Sequence, residues 1–372
     1  MNQDKTFLGT EPVGRLLLRL SVPTVIAQLV NMLYNIVDRI YIGHIPGEGS
    51  LALTGVGVCM PLILVISAFS SFVGSGGAPR ASIAMGKGAY DTAEKILGGC
   101  LSLQILISAV LTVTLFIGSE TFLLLFGASK NTLPYAMAYM QVYVVGTLFV
   151  QLTLGLNAFI TAQGFTKISM GTVLIGAVCN IVLDPIFIFG YFGVPRMGVA
   201  GAALATVIGQ IIAFIAGIIL NHKFNHEVRL NMRSFRPDGA IIKNIYSVGV
   251  PSIIMGSIGS VMTVGINQIV RICGSVADTA QAVFGVYFKL QSFVFMPVFG
   301  LNNGMVPIIA YNFGAKKRDR LTKTIKLSVL YACILMLIGF LLFQFMPETL
   351  LRIFDTGNDD MAGIVEVGVP AL

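Results

Sequence analysis

Apolar runs of membrane-spanning length recur along the chain and are separated by short polar turns. Their lengths match the roughly 20 residues that a helix needs to cross the hydrocarbon core of a bilayer. Backbone groups in lipid must be satisfied within their own segment, so such runs predict transmembrane α-helices. The predicted helices cover residues 15–43, 52–75, 96–118, 132–153, 167–190, 198–221, 243–271, 280–304 and 325–346, and a tenth starts at 361. The pattern therefore predicts an all-α polytopic membrane protein.

The composition agrees with a membrane protein. Hydrophobic residues make up 55% of the chain and charged residues only 11%, with a mean hydropathy of +0.85. A soluble domain carries about 25% charged residues. Residues 2–12 are polar and lack a basic-then-apolar signal pattern, so we expect no cleaved signal peptide. The five cysteines form no CxxC motif, which favours small buried residues over a disulfide framework.

The sequence repeats itself once, at an offset of 228 residues (251 − 23). The matched positions are Pro23 and Pro251, Gly57 and Gly285, Gly76 and Gly304, Pro79 and Pro307, and Gly86 and Gly314. This offset is too long for a solenoid and predicts two homologous lobes around a central site, a plan typical of secondary transporters. The predicted domains are an N-lobe at 1–221 with helices 1–6, a cytoplasmic linker at 222–242, and an incomplete C-lobe at 243–372 with helices 7–9 and the start of helix 10.

Basic residues concentrate on one side of the predicted bundle. Lysine and arginine cluster within residues 5–19, 80–95, 223–243 and 316–326, whereas the opposite side has few. The positive-inside rule then predicts a multi-pass protein of the cell (inner) membrane with a cytoplasmic N-terminus. The net charge of +7 and the pI near 9.2 come from these loops. A nucleic-acid partner is therefore not expected, and anionic lipid headgroups are the natural neighbours of the linker.

Two acidic residues, Asp38 and Asp184, lie well within predicted helices. A carboxylate at the bilayer centre costs about 2.5–3.5 kcal/mol on insertion scales, so each is a functional candidate. Both lie in the outward halves of helices that run from inside to outside, so they can meet in one outward cavity. A carboxylate that takes up and releases a proton or Na⁺ is what exchange against a substrate requires.

Neutral polar residues surround these aspartates at helical spacing. Gln28, Asn31, Asn35 and Asp38 share one face of helix 1, and Asn180 lies four residues before Asp184. Helix 4 adds Asn157, and helix 6 adds Thr206 and Gln210. Pro185 removes a backbone donor and should bend helix 5, which frees carbonyls that can coordinate a cation. The alternative for each amide is an interhelical hydrogen bond that only holds the bundle together.

The C-lobe supplies different chemistry. Helix 7 has no acidic residue in its membrane stretch, whereas helix 8 carries Lys289, Gln291 and Asn303. An intramembrane lysine is expected to face a cavity, and the alternative is snorkelling to an interface. We therefore predict a substrate cavity that is lined from both lobes, by Gln28, Asn31, Asn35, Gln210, Lys289, Gln291 and Asn303.

Five stretches of the chain resemble the multidrug and toxic compound extrusion (MATE) transporters. They are LYNIVDRIYIG at Leu33–Gly43, GLNAFITAQGFT at Gly155–Thr166, NIVLDPIFI at Asn180–Ile188, GVAGAALATVIGQ at Gly198–Gln210 and QSFVFMPVFGLNNGMVPIIAYNFGA at Gln291–Ala315. The likeness covers nearly the whole chain. It is strongest to the DinF-like or MepA-like branch, in which coupling is placed in the N-lobe.

The resemblance implies a V-shaped fold of two six-helix lobes and antiport of amphipathic, often cationic, drugs against H⁺ or Na⁺. It implies a monomer without an organic cofactor or enzymatic activity, and no metal beyond Na⁺ at Asp38 and Asp184. Helix 1 would bend at the hinge Pro23 during transport, with Pro185 as a second hinge. By this resemblance, the cation or proton site consists of Asp38, Asn157, Asn180, Asp184 and Thr206.

The chain departs from the family pattern in two ways. The helix 7 glutamate of the other bacterial branch is absent, which places a C-lobe cation site in doubt. The sequence supplies six helices plus about three and a half of the second six, so we expect a C-lobe that is truncated at Leu372. A truncated, inactive fragment therefore stays open as an alternative.

Other functions fit the residues less well. A flippase for lipid-linked precursors would favour several cavity arginines, but the interior offers only Lys289, with Arg39 and Arg271 near the outer ends. A membrane-embedded enzyme would need a reactive motif, and the chain has no HExxH, DDxxD or GxxxxGK sequence. The prediction is therefore a secondary active multidrug efflux transporter.

Overall fold

The computed structural model describes residues 7–224, 277–352 and 368–370, together with 239, 242, 243, 245–251, 254, 258, 262 and 269. Within these residues the regular structure is entirely helical. Seven of the described helices are long and apolar enough to cross a membrane, or eight if one bent pair counts as a single span. The predicted all-α polytopic membrane fold is confirmed. Most of the predicted linker, most of helix 7 and the helix at 361 lie outside the described residues.

Short turns join most neighbouring helices of the N-lobe, and those helices run in opposite directions through the bundle except for one bent pair. They are α1 (Phe7–Thr10), α2 (Val13–Gly43), α3 (Gly49–Gly86), α4 (Tyr90–Leu125), α5 (Leu133–Val145), α6 (Thr147–Ala162), α7 (Thr166–Phe189), α8 (Val199–Phe224), α9 (Ala277–Gly314), α10 (Arg318–Phe345) and α11 (Pro347–Arg352). We call the end that holds α1, Gly86 and Gly314 the basal end, and the opposite end the apical end.

One predicted helix is wrong. Residues 132–153 were expected to form a continuous helix, but the chain bends by 57° between α5 and α6. The bend falls at Gly146, where an added Cβ would overlap the side chain of Val207 on α8. Because both halves stay apolar, the hydrophobic pattern alone cannot reveal the break. The helices α3, α4 and α9 also extend beyond their predicted ends, since they continue past the apolar runs into small and polar residues.

Two hydrophobic cores stabilise the bundle. The apical core is built from the N-lobe and contains Ile42, Ile66 and Met140. The basal core also contains Leu301 and Tyr311 of α9, so it crosses from one lobe to the other. Within the described residues, the lobes therefore share a hydrophobic core at the basal end only.

Four glycines of the sequence repeat lie at this contact between the lobes, which we call the basal seam. A Cβ on Gly76 would lie 2.6 Å from the Ile245 carbonyl oxygen, and one on Gly304 would lie 2.6 Å from the Ser21 Cα. The other repeat pair crosses directly, because Gly86 packs on the Tyr311 backbone and Gly314 packs on the Ile83 backbone. The repeat is thus visible as paired close approaches of helix backbones, which only glycine allows.

The N-terminal residues Phe7–Glu11, which we call the strap, run across the basal end. The side chains of Phe7 and Leu8 are buried, with 5% and 3% exposure. The Phe7 ring packs against Phe165, with 6.5 Å between ring centroids. The Arg19 guanidinium lies 5.3 Å from the Phe7 ring centroid and forms an ion pair of 2.5 Å with Glu11. These contacts attach the strap to the N-lobe.

The carbonyl groups of the strap are held by donors from the C-lobe. Asn312 Nδ2 donates to the Leu8 carbonyl at 3.0 Å, and Lys317 Nζ donates to the Gly9 carbonyl at 2.8 Å. Arg320 Nη2 donates to the Glu11 carbonyl at 2.7 Å and to the Leu8 carbonyl at 3.2 Å. Hydrogen bonds from charged donors are among the stronger ones in proteins. The strap therefore bridges both lobes over the basal seam.

Candidate functional site

Two carboxylates, Asp38 on α2 and Asp184 on α7, are buried in the apical half of the N-lobe. Their side chains are 8% and 0% exposed, and they lie close enough for their charges to interact. Neither forms an ion pair with a described residue. Arg39 follows Asp38 directly, but it is exposed and its Nη2 lies 3.0 Å from the Met60 sulfur. The site thus holds two acidic groups without a paired base.

Asn180 connects Asp184 to α8. In the amide orientation that satisfies both ends, its nitrogen donates to Asp184 Oδ2 at 3.2 Å and its oxygen accepts from the Thr206 hydroxyl at 3.1 Å. Asn180 is placed one helical turn before Asp184, so the two side chains share a face of α7. The structure therefore brings three of the predicted cation-site residues into one hydrogen-bonded chain.

Asp38 has an unsatisfied acceptor. Its Oδ1 atom is buried and has no hydrogen-bond partner among the described residues. Tyr34, one turn earlier on α2, lies within electrostatic range of both carboxylates. The sequence analysis missed Tyr34, although its spacing of four from Asp38 was a usable signal. An orphaned carboxylate oxygen in a buried site can accept a proton or bind a cation.

A small cavity of about 70 Å³ lies beside the aspartates. It has room for an ion or a few water molecules, but not for an organic substrate. Thr172, which the sequence analysis also missed, donates to Asn157 Oδ1 at 2.6 Å, and the buried Gln210 Oε1 has no partner among the described residues. The predicted site residues that line it are Asn31, Asn157, Asn180, Thr206 and Gln210.

A larger cavity of about 490 Å³ lies between the lobes, above the basal seam. This volume is in the range of sites for drug-sized molecules, about 300–1,000 Å³. The wall contains amide and hydroxyl side chains but no Asp, Glu, Lys or Arg among the described lining residues. Predicted residues in this wall are Gln28, Asn31, Asn157 and Asn303. Asn31 and Asn157 line both cavities, so the two cavities adjoin.

Three predicted cavity residues line neither of these two cavities. Asn35 is exposed and donates to the Asn31 carbonyl at 2.6 Å. Lys289 is exposed and Gln291 is half-buried. Gly300 of α9 packs on Val25 of α2, and Lys289 lies about three turns closer to the apical end of α9. This distance along α9 separates Lys289 and Gln291 from the part of the inter-lobe cavity that Asn302 and Asn303 line.

Both predicted hinge prolines lie inside continuous helices. Pro23 is buried in α2, which runs from Val13 to Gly43, and Pro185 lies one turn before the end of α7. Next to Pro23, the Thr24 hydroxyl donates to the Gly300 carbonyl at 2.6 Å. Each proline removes one helical hydrogen bond and so lowers the cost of bending at that point. The position of Pro23 couples any bend in α2 to its contact with α9.

The described residues hold no group of three or more His, Cys, Asp or Glu side chains that is placed to bind a metal ion. The two aspartates and their neutral neighbours are therefore the oxygen-rich candidate within this part of the chain. Hard cations such as Na⁺ bind to carboxylate, carbonyl and hydroxyl oxygens rather than to sulfur.

The family model MatE matches the chain twice, over residues 23–186 and 251–369. The matches begin at Pro23 and Pro251, the offset of the internal repeat. Among relatives, the multidrug export protein MepA of Staphylococcus haemolyticus is 27% identical over 357 residues, which cover 96% of this chain and 77% of the relative. The FAD transporter of Shewanella oneidensis is 26% identical and covers 95% of this chain, with 77% of the relative covered.

Solved structures share the fold. A MOP superfamily transporter from Pyrococcus furiosus superimposes with a TM-score of 0.89 at 22% identity, covering 100% of this chain and 80% of that one. At this identity the likeness concerns the fold alone. Together with the two family matches, it confirms the resemblance that the motifs carry. The chain belongs to the MatE family, and it is a membrane transporter rather than an enzyme.

Proposed function

We propose that the protein is a secondary active exporter of amphipathic, cationic organic compounds, driven by antiport of H⁺ or Na⁺. Relatives named multidrug export proteins, at about a quarter identity over nearly the whole chain, support multidrug efflux. The observation that carries the coupling is the buried pair Asp38 and Asp184, which has no ion-pair partner among the described residues.

The coupling ion relieves repulsion within this pair. Two carboxylates that interact in a low-dielectric site cannot both stay ionised at low cost. A bound proton or Na⁺ removes that cost, and loss of the ion restores it. Asn180 and Thr206 orient Asp184, while Asn157 and Gln210 supply further oxygens at the small cavity. The pair of aspartates thus takes up and releases one small cation during each transport cycle.

The closed basal seam supports an outward-facing state in this proposal. If the basic residues near α1 and the start of α10 mark the cytoplasmic side, the basal end faces inward and the cavities open outward. Ion binding at the aspartates then reorganises α2, which bends at Pro23, and the two lobes rock around the cavity. One net charge that moves inward at 100 mV supplies about 2.3 kcal/mol, which sustains roughly a fifty-fold gradient of a neutral substrate. Exchange of one coupling ion for one monovalent cationic substrate moves no net charge, so the concentration gradient of the ion drives it.

In this cycle the N-lobe at 1–221 carries the ion site and the C-lobe at 243–372 supplies the moving wall. The protein would work as a monomer in the cell (inner) membrane with its N-terminus in the cytoplasm. Substrate and ion occupy adjoining cavities that share Asn31 and Asn157. This shared wall provides a direct route by which one ligand can displace the other.

The test is uptake of ethidium, a fluorescent organic cation, into inverted vesicles under separate H⁺ and Na⁺ gradients. We expect Asp38→Asn and Asp184→Asn to abolish gradient-driven transport, because each removes one of the paired charges. Asp91→Asn makes the same chemical change at an exposed position and should transport normally. Transport that persists in both site variants would refute the coupling role. Absence of transport in the unmutated chain would refute activity of this chain, and recovery on adding a complete C-lobe would identify it as a fragment.

A further inference from the structure

The inter-lobe cavity contains four primary amides whose side chains have no hydrogen-bond partner among the described residues. Gln28 and Asn31 come from α2, and Asn302 and Asn303 come from α9. The described structure gives none of these four side chains a hydrogen bond. An amide that faces a cavity inside a membrane protein needs water or a ligand to satisfy its donors and its acceptor. These amides are therefore available to a bound molecule.

Three other polar side chains of the same wall already have partners. Thr24 donates to the Gly300 carbonyl at 2.6 Å, and Ser70 donates to the Gln151 carbonyl at 3.2 Å. Asn157 already accepts from Thr172. The hydroxyls of Ser71, Ser75, Thr161 and Ser169 also line the cavity as single groups, whereas each of the four amides presents a donor and an acceptor side by side.

The four amides also lie on one side of the cavity. Because α2 and α9 pack together through Thr24 and Gly300, their amides form a continuous wall. In the internal repeat, Asn302 and Asn303 are equivalent to Gly74 and Ser75 on α3. These two small residues line the same cavity. The cavity thus has amide side chains from α2 and α9, and small side chains from α3 that leave space for a ligand.

We infer that this cavity is a subsite for neutral planar heterocycles that carry a lactam, imide or carboxamide edge. Such an edge matches the paired donor and acceptor of each amide. An ammonium group would find no carboxylate among the described lining residues, and a phosphate would find no cation. This inference rests on the proposed export function, and it adds to the cationic compounds proposed above a neutral class that the uncharged wall of this cavity fits better.

The experiment measures riboflavin binding to the full chain in lipid nanodiscs by quenching of flavin fluorescence. Riboflavin is neutral and presents an imide edge. We expect saturable binding that weakens about tenfold or more in Asn303→Leu, because the ligand edge loses its partner. We expect Asn303→Asp to weaken riboflavin binding and to strengthen ethidium binding, a gain that misfolding cannot produce. Asn131→Asp, at an exposed turn, should change neither.

Two results would overturn the inference. One is the absence of riboflavin binding by a chain that still exchanges ethidium against H⁺ or Na⁺, which would leave the proposed function intact. The other is riboflavin binding that is equal in the unmutated chain and in both Asn303 variants, since the ligand would then lie elsewhere. Failure of both riboflavin binding and ethidium exchange would overturn the proposed function as well.

Discussion

Replacing Gly86 by alanine should open the basal seam. Gly86 ends α3 against the backbone of α9, and an added Cβ would lie 2.9 Å from the Tyr311 carbonyl carbon and 3.0 Å from the Ala315 nitrogen. Its distance to the Tyr311 oxygen would be shorter still. These neighbours are backbone atoms, which cannot rotate aside as a side chain can. The two helices must therefore separate if the methyl group is to fit.

The size of the effect follows from this overlap. The Tyr311 carbonyl oxygen is the closest neighbour, and carbon–oxygen contacts lie at about 3.3–3.6 Å, so α3 and α9 must move apart by roughly 1–1.5 Å. Overpacking of this kind costs about 1–3 kcal/mol. The cost falls on the closed arrangement of the lobes and is absent when the seam is open. The ratio of closed to open molecules should then fall by about 5- to 150-fold.

Pulsed electron paramagnetic resonance can measure this shift. Spin labels at Lys87 and Lys316, both exposed at the basal end, would report the distance between lobes in a background without native cysteines. We expect Gly86→Ala to add a population at longer distance. Gly171→Ala is the matched control, because a Cβ at that helical glycine meets nothing within 4 Å. A distance distribution for Gly86→Ala that equals those of the unmutated chain and the control would refute the reasoning.

Three further predictions follow from the contacts described above. Arg320→Met removes the donor to the Leu8 and Glu11 carbonyls. Hydrogen exchange of the backbone amides in the strap should then accelerate by at least about tenfold. Unchanged exchange would show that the apolar contacts alone hold the strap. Thr206→Val deletes the hydroxyl that donates to Asn180. The concentration of Na⁺ or H⁺ that gives half-maximal ethidium exchange should rise, with little change in the maximal rate. An unchanged half-maximal concentration would contradict the role of Thr206. Gly146→Ala should lower the free energy of unfolding by about 1–3 kcal/mol, and adding Val207→Ala should restore most of it, because the overlap is between these two positions.

The sequence predicted those site residues whose side chains are energetically unfavourable inside a lipid bilayer. Asp38 and Asp184 were recognisable because a carboxylate inside an apolar run requires a reason, and helical spacing placed Asn180 beside Asp184. The same spacing placed Gln28 and Asn31 on one face of α2, and both line the inter-lobe cavity. Local periodicity and local cost are sufficient for predictions of this kind.

Features that depend on packing between distant helices were not predictable in this way. The bend lies at Gly146, where α5 and α6 meet in close contact with Val207 on another helix, and the hydrophobic pattern is the same on both sides of it. Lys289 was predicted to face a cavity because it is charged, and it lies about three turns apical to Gly300, outside the two cavities described above. Long-range geometry, rather than residue type, decided both outcomes.

The glycines of the repeat were recognised in the sequence, but the contacts that they make between helices were not predictable from it. Gly86 and Gly314 were visible in the sequence as matched positions, and they indicated homology between the lobes. Their physical role became apparent only with the helix crossing, where each lies against the backbone of the other lobe. A repeated glycine in a membrane helix is a signal for a close crossing, but its partner has to come from the structure.

The strap also determines the order in which the molecule can be built. Asn312 is separated from Leu8 by 304 residues, and Arg320 is separated from Leu8 by 312. During synthesis the strap leaves the ribosome long before the residues that bind it, since chains emerge from the N-terminus first. Until α9 and the start of α10 have been inserted, the carbonyl groups of the strap can form hydrogen bonds only with water or at the lipid surface. Closure of the strap is therefore one of the last steps of assembly, and it occurs only in molecules whose two halves have reached their correct positions.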